Sequence, residues 1–277
     1  MPSNSVFKID LHLHSYHSDC GGQSVRQIFS QANKMGLDVI SLTDHNTFSG
    51  VMKSLELGEI FGIKVIPGVE LSTGINISDK KIIERRDVLV YFPNVERFKI
   101  WAEKGFDRTT QDIFSSANDR EHDKYLWGNL PIEEAFQWAR NNNGTTILAH
   151  PGYYNEETPE KLMNLFRKGL NGLEIFNLKY NNYQHYSKKS LTEVMYYFLN
   201  KLKEIEKNIS FNKKPIATIG TDSHTPDSIG YLNINEQFII DFLSYYNNSK
   251  REELKNSYDD LFSAMTKKII NLLDFNG

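Results

Sequence analysis

The sequence of 277 residues contains a single cysteine, Cys20. One cysteine cannot form an internal disulfide framework or a cysteine-based zinc site, and this scarcity indicates a reducing compartment. A run of about 18 uncharged apolar residues is also missing, so no segment is expected to span a membrane. The N-terminus lacks a basic stretch followed by a long apolar one, as a secretory signal would have. The sequence therefore predicts a cytoplasmic protein.

A large charge of one sign is missing as well. The formal net charge is −3 and the sequence pI is about 6.3. This balance argues against a protein that coats duplex nucleic acid through bulk charge, although local basic patches stay possible. Hydrophobic residues make up 39% of the chain, with 17 Phe and 14 Tyr, which is enough for a sizeable core. A folded enzyme is the default expectation.

Five of the eight histidines lie in short segments that also contain carboxylates, and each segment has the pattern of a strand end. These residues are His12, His14, Asp19, Asp44, His45, Glu70, His150, Asp222 and His224. Imidazole and carboxylate groups are ligands of divalent metals, and strand ends that converge on one mouth can build a multi-metal site. The pattern predicts a metal-dependent hydrolase.

The first predicted strand shows how such a site arises. Phe7, Ile9, Leu11 and Leu13 alternate with Lys8, Asp10, His12 and His14, which is the two-residue period of a strand. The apolar set can pack under a layer of helices, while His12 and His14 share the other face with their Cα atoms roughly 7 Å apart. Strand geometry alone therefore predicts a chelating pair.

The remaining chain alternates predicted strands and helices. After the first strand, the sequence predicts six more strands, at 37–43, 64–69, 88–92, 146–149, 173–176 and 216–220. It predicts helices at 24–35, 48–61, from Pro131 to Gly144, at 159–168 and at about 190–207. Ligand candidates follow five of the seven strands, at the carboxyl ends where a barrel carries its active site.

Two segments exceed this β-α-β pattern. Residues 94 to about 129 are too long for an ordinary connection and are expected to form an insertion over the mouth. Residues 232–277 have helical stretches and are expected to form a helical extension packed on a barrel domain of residues 1–231.

Six ordered motifs resemble those of the PHP (polymerase and histidinol phosphatase) superfamily. They are DLHLH at 10–14, SD at 18–19, LTDHNT at 42–47, GVELS at 68–72, LAHPG at 148–152 and GTDSH at 220–224. The resemblance extends over residues 6 to about 230. It implies an α/β fold, a distorted seven-stranded (β/α) TIM-like barrel that holds two to three divalent metal ions, with Mn, Fe or Zn as the expected occupants.

The resemblance also implies a role for each matching residue. The first metal would be bound by His12, His14, Glu70 and Asp222, the second by Glu70 and His150, and the third by Asp19, His45 and His224. Glu70, Asp222 and His224 are the implied catalytic residues. Asp44 would orient an imidazole without binding metal, and Asp10 is placed in the same supporting role.

One position departs from the family pattern. Asp87 stands where many relatives place a histidine ligand of the second metal. An aspartate either shifts the preference toward harder metals or weakens the second site. The adjacent Arg85 and Arg86 would neutralise that carboxylate or reach a substrate phosphate.

The chemistry that fits this arrangement is hydrolysis of a phosphate ester by metal-activated hydroxide, because a metal-bound water ionises near neutral pH. The leading hypothesis is a phosphoesterase acting on a nucleotide or a short oligonucleotide end. The expected partners are thus a phosphorylated small molecule, a nucleotide or a single-stranded nucleic acid end. Lys179, Tyr180 and Tyr183 could stack a base and contact phosphates. Alternatively, these tyrosines pack their loop onto the barrel.

Two other functions stay open. The first is a histidinol-phosphate-type phosphatase of small molecules, which is disfavoured because the chain has Asp19 in a short turn where that branch carries a histidine-bearing loop. The second is a non-catalytic interaction module. It is disfavoured because convergent buried charges are costly for a scaffold.

Overall fold

The computed structural model describes residues 8–76, 83–118, 130–153, 157–178, 191–208 and 215–230. They form a mixed α/β fold. The strands are β1 (Ile9–Leu13), β2 (Val39–Leu42), β3 (Lys64–Val65), β4 (Gly68–Asn76), β5 (Ile83–Tyr91), β6 (Leu130–Pro131), β7 (Thr145–Leu148), β8 (Gly172–Phe176) and β9 (Ile216–Ile219). The helices are α1 (Val25–Met35), α2 (Val51–Phe61), α3 (Val95–Glu103), α4 (Arg108–Asn118), α5 (Ile132–Asn141), α6 (Pro159–Lys168) and α7 (Leu191–Asn208).

The helix ends follow from local chemistry. Ser24 precedes α1, and its Oγ accepts a hydrogen bond from the backbone N–H of Gln27 at 3.2 Å. The side-chain oxygen of Gln27 accepts in return from the backbone N–H of Ser24 at 2.8 Å, which completes a capping box. Gly36 ends the helix with a φ of 68°, a left-handed conformation that glycine adopts without steric cost. The predicted ends of this helix are confirmed.

The strands lie in two sheets. β1, β2 and β3 form a parallel sheet, and the other six strands form a sheet in the order β6-β4-β5-β7-β8-β9. The sheets meet at two places. The backbone N–H of His14 donates to Ser223 O at 2.9 Å, and that of Asn46 donates to Glu70 O at 2.9 Å. The segments that contain the candidate ligands are thus hydrogen-bonded across the junctions between the sheets. Closure into one seven-stranded barrel stays a prediction.

The fourth and fifth strands correct the predicted β-α-β alternation. β4 and β5 are antiparallel partners that place Glu70 opposite Leu89 and Ser72 opposite Asp87. A parallel pair needs a connection of about a dozen residues or more, and the chain between Asn76 and Ile83 is shorter than that. Glu70 consequently lies within β4 and not after a strand end. The described residues contain nine strands where the sequence predicted seven, partly because one predicted strand is divided into β3 and β4 at Pro67.

Part of the predicted insertion at 94–129 consists of α3 and α4, and residues 119–129 lie outside the described residues. The amide nitrogen of Asn46 donates to the side-chain oxygen of Asn118 at 3.1 Å. The last turn of α4 therefore lies beside the segment that contains His45. The predicted C-terminal extension, residues 232–277, lies outside the described residues as well. No helix in the described ranges has both the length and the apolar character needed to cross a membrane.

An aromatic cluster fixes α3 and α4 to the rest of the fold. Phe48 is buried at its centre, with ring centroids 5.0 to 6.3 Å from its neighbours. These neighbours include Phe98, Trp101, Phe106, Phe114 and Trp138. Such tilted and edge-to-face pairs add to the stabilisation from burial alone.

Replacing Phe48 with Ala is expected to lower the free energy of unfolding by about 3–5 kcal/mol, because the neighbouring rings cannot fill the cavity. Urea denaturation followed by tryptophan fluorescence measures the change. Ile60→Ala is the control, since Ile60 is 71% exposed and its loss should cost little. Equal stability of the two variants would contradict the assigned role of the cluster.

Candidate metal centre

His12 and His14 converge at the carboxyl end of β1. Their Nε2 atoms are 3.1 Å apart, and both side chains are buried. The two rings share one side of the strand because side chains alternate along it. The chelating pair that the strand period predicted is therefore formed.

Glu70 lies at the centre of the histidine cluster. Its Oε2 is 3.2 Å from His12 Nε2, 3.1 Å from His14 Nε2 and 3.3 Å from His45 Nε2. Its other oxygen, Oε1, is 3.0 Å from Nε2 of His150. The carboxylate is nearly inaccessible to solvent. One side chain thus joins four histidines from three separate segments of the chain.

Asp222 and His224 approach the cluster from the segment after β9. Asp222 Oδ1 is 3.2 Å from His14 Nε2 and 3.7 Å from His12 Nε2. The Nδ1 atom of His224 donates to the backbone carbonyl of Asp222 at 2.8 Å. Because this hydrogen bond uses Nδ1, the Nε2 atom of His224 keeps its lone pair. The ring of His224 stacks on that of His14 at 4.6 Å.

Within the described ranges, four groups of side chains bring three potential ligand atoms within 4.8 Å of one another. They are His12, His14 and Asp222; His14, His45 and Glu70; Glu70, Asp87 and His150; and His14, Cys20 and His224. Glu70 and His14 belong to more than one group. Shared ligands of this kind are compatible with ions that lie close together and are bridged by one side chain.

The chemistry of these donors fits a metal ion. The Nδ1 atom of His12 lies 3.0 Å from Glu174 Oε1, and because a carboxylate only accepts, Nδ1 carries the proton. In neutral His12 the lone pair of Nε2 then points at Glu70 Oε2, which is also an acceptor. A cation or an additional proton is needed to make this contact favourable. Imidazole nitrogen and carboxylate oxygen are ligands that suit divalent Zn, Mn or Fe.

Without a metal, an additional proton on the imidazole makes the contact between His12 and Glu70 favourable. Burial would lower the pKa of His12, but the carboxylates of Asp222, Glu174 and Glu70 raise it well above its usual value. The pKa of His14 is raised in the same way, since Asp222 and Glu70 outweigh the effect of burial. The metal-free site therefore holds the His12 imidazolium among carboxylates.

The pKa values of Glu70 and His45 are lowered instead of raised. Burial would raise the pKa of Glu70, but His45 and His12 lower it well below its usual value. Burial lowers the pKa of His45 despite the nearby Glu70 carboxylate. Glu70 is thus ionised and His45 neutral at pH 7, which are the forms that bind metal.

Asp10 supports the site without facing it. Its carboxylate accepts from the backbone N–H of Thr221 at 2.9 Å and from the Thr221 hydroxyl at 2.7 Å. Burial raises the pKa of Asp10 to about 6. These bonds fix β1 to the segment that contains Asp222, in agreement with the supporting role expected for Asp10.

Asp44 supports the site differently from the expectation. In the described residues its carboxylate accepts from the backbone N–H and the hydroxyl of Ser15, at 2.6 and 2.7 Å, and from the hydroxyl of Ser18 at 3.0 Å. The Ser18 hydroxyl also lies 3.3 Å from His14 Nδ1. Asp44 therefore reaches an imidazole only through Ser18, because the turn after β1 lies between them.

The third-metal set of Asp19, His45 and His224 that the resemblance implied stays a prediction. Asp19 is exposed and belongs to none of the four groups. The adjacent Cys20 lies near His14 and His224. A single cysteine beside two histidines is a mixed group, which differs from the cysteine-based zinc site that the sequence excluded.

Asp87 faces the centre from β5. Its Oδ2 lies 3.7 Å from His150 Nε2, and it forms a group with Glu70 and His150. Arg85, two residues earlier on the same face, places Nη2 at 3.3 Å from Asp87 Oδ2. The predicted neutralisation of this carboxylate is therefore observed for Arg85.

Arg86 has a different environment from Arg85. It alternates with Arg85 and Asp87 along β5, so its side chain points to the opposite face. There it is buried and forms an ion pair with the buried Glu157. Strand alternation separates Arg86 from Asp87, and a phosphate contact of Arg86 stays a prediction.

The other predicted substrate residues, Lys179, Tyr180 and Tyr183, lie outside the described residues. The sequence prediction missed two buried residues, Glu174 and Asn177. Both lie at the carboxyl end of β8, where a carboxylate in an otherwise apolar strand was the available signal. Asn177 Nδ2 donates to Glu174 Oε2 at 3.0 Å and to Asp222 Oδ2 at 3.4 Å.

Comparison with known proteins agrees with this geometry. The sequence profile of the PHP domain matches residues 10–216, which include every candidate ligand except Asp222 and His224. This chain belongs to the PHP family. The family match extends over most of the chain, from β1 to the first residue of β9.

Curated relatives of this PHP protein match over shorter segments. It is 40% identical over 63 residues to phosphoribosyl 1,2-cyclic phosphate 1,2-diphosphodiesterase from Eggerthella lenta, covering 23% of this chain and 24% of the relative. It is 39% identical over 66 residues to a 5'-3' exoribonuclease from Haemophilus influenzae, covering 24% of each chain. The matched segment thus spans about a quarter of the length of these two relatives.

Solved structures share the fold of this PHP protein. A candidate metal-dependent phosphoesterase from Bifidobacterium adolescentis superposes with a TM-score of 0.54 at 17% identity, covering 80% of this chain and 89% of that one. An amidohydrolase from Chromobacterium violaceum, determined with bound sulfate and no metal, gives a TM-score of 0.55 at 18% identity, covering 81% and 90%. At such identities the likeness concerns the fold alone.

Metal binding at neutral pH is expected to release a proton, because the pKa of His12 is raised well above its usual value and keeps this group protonated in the metal-free protein. The apparent affinity for Zn²⁺ should therefore increase with pH. Calorimetric titration in buffers with different ionisation enthalpies measures the number of protons released. Binding heats that do not depend on the buffer would contradict this protonation state.

Proposed function

We propose that this PHP protein is a metal-dependent phosphoesterase that hydrolyses a phosphate ester of a nucleotide or of a short oligonucleotide end. The observation that carries the proposal is the position of Glu70, whose two oxygens lie within 3.3 Å of four histidines. A single carboxylate in this position can bridge neighbouring ions. Two to three divalent ions, Mn, Fe or Zn, are the cofactors that this donor set suits.

Ions bound there would activate water near neutral pH and offset the charge of the phosphoryl group. The side chains of the protein set the relative positions of the candidate ligands. Glu70 fixes the spacing between the histidines, and Asp222 holds His14 from the opposite side at 3.2 Å. Because these side chains are buried, the site has a low local dielectric that strengthens interactions with an anionic substrate.

Arg85 is the residue proposed to bind the substrate phosphate. Its side chain is 22% exposed and lies on the face of β5 that contains Asp87. A guanidinium can form two parallel hydrogen bonds to a phosphate, as it does to a carboxylate. In this proposal Arg85 pairs with Asp87 in the free enzyme and with the phosphoryl oxygens when the substrate is bound.

The substrate class is supported by the relatives. One is named as a phosphodiesterase of a phosphoribosyl cyclic phosphate and another as an exoribonuclease. Both act on a phosphate ester attached to a ribose. Lys179, Tyr180 and Tyr183 stay the proposed contacts with the base and the flanking phosphate.

Glu70→Gln is expected to reduce turnover of a nucleotide phosphoester by on the order of 1,000-fold, since the amide cannot bridge two cations and several kcal/mol of stabilisation are lost. The assay uses metal-loaded protein and a panel of mononucleotides, cyclic phosphates and short single-stranded oligonucleotides. Glu133→Gln is the matched control, because Glu133 lies on α5 and pairs with Lys168. Full activity of the Glu70→Gln protein would disprove the proposed mechanism.

Arg85→Ala is expected to raise KM by about 10- to 100-fold, the range for loss of a hydrogen bond to a charged group. Arg85→Lys should have an intermediate effect, because lysine keeps the charge but not the paired geometry. The control is Arg167→Ala, at an exposed position of α6. An unchanged KM in Arg85→Ala would exclude the assigned phosphate contact.

A further inference from the structure

We infer that Glu174 is a positioning residue that holds two histidines of the metal centre, His12 and His150, in their ligand geometry. The inference rests on the proposed function only in treating these histidines as ligands. Glu174 lies in β8, is fully buried and belongs to none of the four ligand groups. Its two oxygens instead face two residues of the site.

The first contact sets the tautomer of His12. Glu174 Oε1 lies 3.0 Å from His12 Nδ1, and the carboxylate can only accept. The proton is thereby fixed on Nδ1, and the lone pair of Nε2 is directed at Glu70. A carboxylate in this position also increases the basicity of the imidazole as a ligand.

The second contact fixes the backbone that bears His150. The backbone N–H of His150 donates to Glu174 Oε2 at 2.7 Å. His150 has a φ of 27°, a left-handed value that is unusual for a residue with a side chain. Such conformations persist where surrounding interactions hold them. This hydrogen bond holds the turn that places His150 Nε2 at 3.0 Å from Glu70.

A third connection extends to Asp222. Asn177 donates from Nδ2 to Glu174 Oε2 at 3.0 Å and to Asp222 Oδ2 at 3.4 Å. The single carboxylate of Glu174 is therefore linked to candidate ligands in β1 and after β7, and through Asn177 to one after β9. These segments are far apart in sequence, so a side chain inside the sheet is needed to fix their relative positions.

The space for this contact depends on Gly220. A Cβ atom at that position would lie 2.3 Å from His12 Cβ and 2.9 Å from Glu174 Oε1. Any side chain there would force His12 and Glu174 to move. The missing side chain at Gly220, directly after β9, thus allows the His12 ring to lie close to Glu174.

The experiment compares Glu174→Gln with wild type by Zn²⁺ affinity, measured in competition with a chelator. A glutamine oxygen can accept from only one of the two donors, and its amide group would face the other. Affinity is expected to decrease by about 10- to 100-fold, the usual effect of losing a residue that orients a metal ligand. Glu133→Gln, which removes an exposed carboxylate, should bind Zn²⁺ like wild type.

A readout that general destabilisation would not produce comes from ¹⁵N NMR of the zinc-loaded proteins. In wild type the ring nitrogens of His12 should appear as protonated Nδ1 and metal-bound Nε2, and the Nδ1–H signal should shift in Glu174→Gln. If the Glu174→Gln variant does not fold, the wild-type spectrum by itself tests which ring nitrogen of His12 carries the proton. A proton on Nε2 of His12 in wild type, or unchanged Zn²⁺ affinity in a folded variant, would overturn the inference.

These results separate the inference from the proposed function. A wild-type protein that binds Zn²⁺ in a Glu174-dependent way but hydrolyses no phosphoester would retain the positioning role and disprove the function. An active protein whose Zn²⁺ affinity does not depend on Glu174 would retain the proposed function and disprove the positioning role.

Discussion

The burial of Glu70 among histidines is the constraint on which the rest of the site depends. An isolated carboxylate in a protein interior is costly unless positive or hydrogen-bonding groups compensate it. Here His12, His14, His45 and His150 surround its two oxygens. These histidines come from three separate segments, since His12 and His14 share the first of them. The charge balance of the centre therefore links strands that would otherwise be independent.

The backbone around the centre adapts to this requirement. Asn46, His150 and Asp222 have φ values of 52°, 27° and 55°, which residues other than glycine seldom adopt. All three come shortly after the ends of strands β2, β7 and β9, and the side chains of His150 and Asp222 face the centre. Hydrogen bonds to Glu70, Glu174 and His224 hold these turns. Residues held in such conformations are often found at functional centres.

The two faces of β5 carry different ion pairs. On one face, Arg85 offsets Asp87 beside the metal groups, and on the other face the buried Arg86 pairs with Glu157. The two arginines are adjacent in sequence but differ in role, because alternation along a strand directs one toward the site and the other toward the helices. Arg85, which is partly exposed, is the one that can exchange a carboxylate partner for a phosphate.

The sequence by itself determined the class of site and most of the histidines and carboxylates that the structure brings together there. Periodicity predicted the chelating pair of β1 and the ends of α1, because both depend on local geometry and capping. Family motifs indicated Glu70, His150 and Asp222, since those residue types recur at fixed places relative to strands. Tertiary structure decided the rest. The β4–β5 hairpin, the buried partner of Arg86, the indirect role of Asp44 and the contacts of Glu174 all depend on which segments meet in space. Pairing between distant segments leaves little trace in local pattern, so only the folded chain decides it.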